Sequence, residues 1–117
     1  MKTTKADRDL FVKECKRWID KLSLNDWEYS FEHEYIGENL SATTTSDFKA
    51  KMIVFRLNKE IDKTGKMSSY IKSIALHEVL HVLLENLYHM AKSRDFREIN
   101  YLAEEHAIIN RLQKAME

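Results

Sequence analysis

The chain reads as an α+β domain. Its expected layout is an N-terminal helix, a small three-stranded, mostly antiparallel sheet, and a central helix packed with a C-terminal helix as an antiparallel hairpin. Three observations predict it. Trp27 to Tyr35 alternates apolar and polar residues with period two, two further segments have strand-like composition, and the flanking segments repeat their apolar residues at helical spacing.

A chain of 117 residues has material for one core, so residues 1–117 are expected to form a single domain. Its 44% hydrophobic and 32% charged residues are ordinary for a globular protein. The 19 basic and 19 acidic side chains balance, so no net field draws the chain to nucleic acid or to an anionic membrane, and neither is expected as a partner. No window is apolar for long enough to span a bilayer, and the start has no signal-type apolar core. The one cysteine excludes an internal disulfide and suits a reducing compartment, so a cytoplasmic address is expected.

Residues from Asp7 to Leu22 form the first expected helix, with Phe11, Cys15, Trp18 and Leu22 on one face and the lysines largely off it. Cys15 lies on the apolar stripe and is expected in the core rather than on a metal. Ser23 to Asp26 is a turn. The alternation from Trp27 to Tyr35 then places the aromatic rings on one side of a half-buried strand, with His33 on the aromatic face as a packed or rim residue. After turn chemistry at Ile36 to Asn39, the threonine-rich run Leu40 to Phe48 is extended but too polar to be buried on both faces. Lys49 to Leu57 gives a third strand, with Ile53, Phe55 and Leu57 on one side and Met52 and Val54 on the other. The polar run Asn58 to Lys66 leads into the central helix, which Ser68 or Ser69 is expected to cap.

The central helix carries His77-Glu78-Val79-Leu80-His81, an H-E-x-x-H pattern. At about 100° per residue the two histidines lie one turn apart on nearly one face, so their imidazoles can converge on one metal ion with Glu78 beside it. Apolar neighbours on almost every side mark the helix as buried. Two histidines and a glutamate there need partners, and one divalent cation with a polarised water fits their spacing. Zinc, one ion per chain, suits this donor set. Lys92 to Asp95 interrupts the apolar pattern, and Asp95 with Glu98 resembles a capping box for a last helix reaching about Ala115. Ser93 lies midway between His81 and Glu105, so a hairpin turning there would return Glu105 to the level of His81. Leu102, Glu105, Ile109, Leu112 and Met116 share one stripe, which makes Glu105 the expected third ligand, with Glu104 and His106 as the alternatives.

The motif helix followed by Ala103-Glu104-Glu105-His106 resembles the gluzincin clan of zinc metallopeptidases, and the order of elements is similar to its minimal members with a zincin-like fold. The fuller N-E-x-x-S-D form of the glutamate motif is not matched. The metzincin pattern is excluded, because its Gly and third His would fall at Leu84 and Leu87. The resemblance implies that His77, His81 and Glu105 hold zinc. It also implies that Glu78 is the catalytic base for hydrolysis of a peptide or protein substrate. Tyr88 or Tyr101 could steady an oxyanion, and Leu40 to Phe48 would take a substrate strand if it lies at the sheet edge rather than in its middle. The alternative from a different class is a catalytically idle module, adaptor or regulator, that keeps the metal for folding. An intact Glu78 favours the peptidase.

Overall fold

The computed structural model describes residues 1–62, 65–93 and 97–117. The first helix, α1 (Lys5–Lys21), begins two residues before the expected Asp7 because Thr4 and Asp7 form a capping box. Asp7 N donates to Thr4 Oγ1 at 3.2 Å, and Thr4 N donates to Asp7 Oδ2 at 2.9 Å. The helix ends at Leu22, where Ser23 turns the chain with φ of 56°. Phe11, Cys15 and Ile19, each four residues apart, are buried together with Leu22. Trp18 sits at the edge of that stripe, half-buried, with Arg17 and Lys21 over its ring.

Three strands follow: β1 (Glu28–Glu34), β2 (Ala42–Asp47) and β3 (Met52–Asn58). β1 keeps the predicted alternation, with Tyr29, Phe31 and His33 half-buried and its other residues exposed. The sheet order is β1-β3-β2, so β2 lies at an outer edge. The sheet is mixed rather than mostly antiparallel: β3 pairs with β2 antiparallel, Thr44 opposite Phe55, but with β1 parallel, Phe31 opposite Phe55. The reason is the route of residues 35–41, which cross the end of β3 instead of folding back along β1. Asn58, fully buried at that end, holds the crossing. Its Nδ2 donates to Gly37 O at 2.8 Å and Leu40 O at 2.7 Å, and its Oδ1 accepts from Ile36 N at 3.2 Å. Gly37, with φ of 117°, takes a backbone conformation there that side-chain-bearing residues rarely adopt.

The motif helix is α2 (Met67–Leu83). Its N-cap is Lys66 and carries no side-chain cap bond, so Ser68 and Ser69 lie inside the first turn rather than capping it. Ile71, Ala75, Val79 and Val82 are buried, forming a stripe that packs on α1. Two small residues meet at this contact, Cys15 Sγ lying 4.0 Å from Ala75 O, and their size lets the helices approach closely. Ile53, Phe55 and Leu57 of β3 complete the core, where full burial of one such side chain contributes about 1.5–3 kcal/mol.

Beyond α2 the helix breaks at Leu84 and restarts as α3 (Glu85–Lys92), although no Gly or Pro marks the junction. The last helix is α4 (Glu98–Met116), and the antiparallel pair is formed by α3 and α4. Asp95, read from sequence as its cap, lies outside the described residues; the N-cap is Arg97, with no side-chain cap bond. Ring stacking of His89 on Phe48, with centroids 3.8 Å apart, fixes α3 against the β2–β3 turn. Among the described residues, no helix is long and apolar enough to cross a membrane.

Candidate metal centre and cleft

On the inner face of the sheet the side chains shrink from β3 to β2. Opposite Leu57, Phe55 and Ile53 stand Ala42, Thr44 and Ser46. This step in size leaves an open cavity of about 1040 Å³ between the edge strand and α2. His77, Glu78 and His81 all line it, as do Leu40, Ile74, Leu87 and Tyr88.

The two histidines present their rings to the cavity with centroids 5.0 Å apart and planes at 81°. One ligand atom from each of His77, Glu78 and His81 lies within 4.8 Å of the others. The predicted convergence on one face of the helix is therefore present in the geometry. Glu78 differs from its neighbours in burial: both histidines are exposed, whereas Glu78 keeps only 5% of its surface. Burial pushes its carboxyl above the ordinary range, against the opposing effects of His81, His77 and a hydrogen bond from Thr44. In donor type the group fits zinc, which takes imidazole nitrogen and carboxylate oxygen together.

Glu105 does not join this group. It is exposed on α4, on a stripe where Leu102 and Ile109 are exposed as well, while Ile108, Leu112 and Ala115 face the core. The register differs for a physical reason. Asn86 Nδ2 donates to Glu104 Oε1 at 3.4 Å, so Glu104 stands at the level of Asn86 rather than near that of His81. The arms are thereby offset by about one helical turn of 3.6 residues, and the break at Leu84 separates α2 from the arm that carries α4. Glu104 is half-buried at that contact, and His106 is exposed.

Of the two tyrosines, Tyr88 lines the cavity and Tyr101 does not. Lys92 Nζ lies 3.4 Å from the Tyr88 hydroxyl. Cys15 stays in the core, where burial raises its thiol well above its usual value and the Glu78 and Glu14 carboxylates add to the effect. His33 sits away from the cavity, its Nε2 2.7 Å from Thr3 Oγ1.

Three lining residues escaped sequence reasoning. Thr44 contacts Glu78, and Ser46 Oγ donates to Glu85 Oε1 at 2.5 Å. Glu85 follows His81 by one helical turn, a spacing that could have flagged it; nothing in the sequence ties Thr44 or Ser46 to the helix. Set against family models, curated proteins and solved structures, the chain matches none.

Proposed function

We propose that this protein is a small zinc-dependent peptidase built on an H-E-x-x-H helix. One observation carries the reading: the His77–Glu78–His81 group opens onto a cavity whose opposite wall is the outer strand of the sheet. His77 and His81 would hold the ion. Bound there, zinc supplies Lewis acidity toward a carbonyl oxygen and lowers the pKa of a water to about 7.

The protein's own groups account for the remaining work. Among the described residues no strand pairs with the outer side of β2, where an extended peptide can add as a further strand. The apolar wall of Leu40, Ile74 and Leu87 excludes water from the chain so held. Glu78, held by Thr44, accepts a proton from the attacking water and returns it to the leaving amine.

A second reading rests on the same distances. Because the Glu78 ligand atom lies within 4.8 Å of both imidazoles, it could ligate the ion itself, which describes a metal held for folding in an idle module. Glu78→Gln separates the two. As a base, Glu78 is dispensable for metal, so the variant should bind zinc like the parent and lose peptide hydrolysis. A variant that binds zinc at least tenfold more weakly, from a parent that hydrolyses nothing, would establish the structural role instead. A parent that takes up no zinc at neutral pH would sink both.

A further inference from the structure

The cavity holds one carboxylate outside the metal group, Glu85, at the first residue of α3. Among the described residues it has one hydrogen-bonding partner, Ser46, and no lysine or arginine pairs with it. No lysine or arginine lines the described cavity at all. Its surroundings are apolar: Leu84, Leu87, Tyr88 and Ala91 share the same wall. A ligand that fills this end of the cavity therefore strips water from a carboxylate that retains a single neutral donor, at a cost that a ligand cation offsets. Anions are disfavoured there for the same reason.

Position sets the distance from the chemistry. Glu85 lies four residues past His81, about 6 Å along a helix axis, and Ser46 lies two residues past Thr44, about 7 Å along a strand. The strand thus places Glu85 about two peptide residues from the level of Glu78, and the helix places it at a similar distance from His81.

We propose that Glu85 is a recognition site for a substrate cation, an ammonium or guanidinium group carried about two residues from the bond that is cut. The inference rests on the peptidase reading for its account of what is cut, but recognition itself is separable from turnover. The cation has two possible sources, a Lys or Arg side chain or the free amino terminus of the peptide.

The test uses the zinc-loaded full chain with peptides that differ in charge at that position, each with a free or an acetylated amino terminus. Cleavage is followed by mass spectrometry. Binding is followed by fluorescence anisotropy on the Glu78→Gln protein. The cationic peptide should be preferred at least tenfold in both measurements. Glu85→Gln, which keeps an acceptor for Ser46, should bring cationic and neutral peptides within threefold of each other. Loss of preference on acetylation alone assigns the cation to the amino terminus; persistence assigns it to the side chain. Cleavage or binding without charge preference, or a preference that survives Glu85→Gln in a protein of unchanged melting temperature, would overturn the proposal. In that case Glu85 serves only to favour the N-terminus of α3 and to tie it to β2. Charge-selective, Glu85-dependent binding without any cleavage by the parent would instead sink the peptidase reading and leave the cation site standing.

Discussion

The hydroxyl of Thr44 lies 3.3 Å from Oε1 of Glu78 and 3.2 Å from the main-chain oxygen of the same residue. The edge strand and the motif helix are thus joined at the residue we propose as the base. Thr44→Val keeps the shape and removes the donor. Leaving a buried acceptor without its partner costs about 1–3 kcal/mol, so urea unfolding should show a loss of that size. Zinc content should stay the same while turnover falls, since Thr44 orients Glu78 and touches neither histidine. Unchanged stability would mean that Glu78 finds an equivalent donor elsewhere.

The position of α4 makes a prediction about metal. Because Glu105 is exposed and apart from the histidines, Glu105→Ala should leave zinc affinity within about threefold, close to the roughly 0.5 kcal/mol that bounds most surface substitutions. Glu104→Ala removes the acceptor for Asn86 and should loosen the α3–α4 contact, seen as faster amide exchange in both helices. A loss of zinc affinity of tenfold or more in Glu105→Ala, measured against a competing chelator, would show that α4 moves over the cleft when metal binds.

His33 gives a pH dependence that is independent of the metal group. Burial, then Lys59 and Arg8, hold its imidazole below the ordinary 6.5, against a raising effect from Asp7. Thr3 gives its one hydroxyl proton to Asn58 O, so Nε2 of His33 must donate to Thr3 Oγ1. Between the lowered value and 6.5 the folded protein binds fewer protons than the unfolded chain. The stability tied to His33 is therefore complete above 6.5, declines as pH falls, and levels off below the folded value. His33→Gln should flatten that part of the decline as pH falls below 6.5 in urea midpoints. An equal slope in the variant would assign the decline to another group.

The elements and the clustering of His77, Glu78 and His81 were legible because each rests on a local repeat. Period-two alternation exposed β1 and the inner face of β3, and the one-turn spacing of His77 and His81 is a property of any helix. The topology was not legible. Whether residues 35–41 fold back or cross over depends on Asn58, far along the chain, satisfying the loop's backbone. The C-terminal arm was misjudged for a related reason. α4 is apolar on two faces, Ile108 and Leu112 on one, Leu102 and Ile109 on the other, so helical phase alone could not say which turns inward. The break at Leu84 carries no compositional signal.

The outer position of β2 has a consequence for the protein's behaviour in concentrated solution. A strand edge without a neighbour is a template for any extended chain, including the same strand of another copy, and such edge-to-edge growth leads to aggregation. Here the template is only six residues long and is built almost wholly of threonine, serine and aspartate. A self-paired edge would gain backbone hydrogen bonds but little apolar area, and it would bring Asp47 of each copy into a shared, partly dehydrated seam. The side chains too small and polar to fill the cleft are thus also the ones that make the strand a poor adhesive for itself.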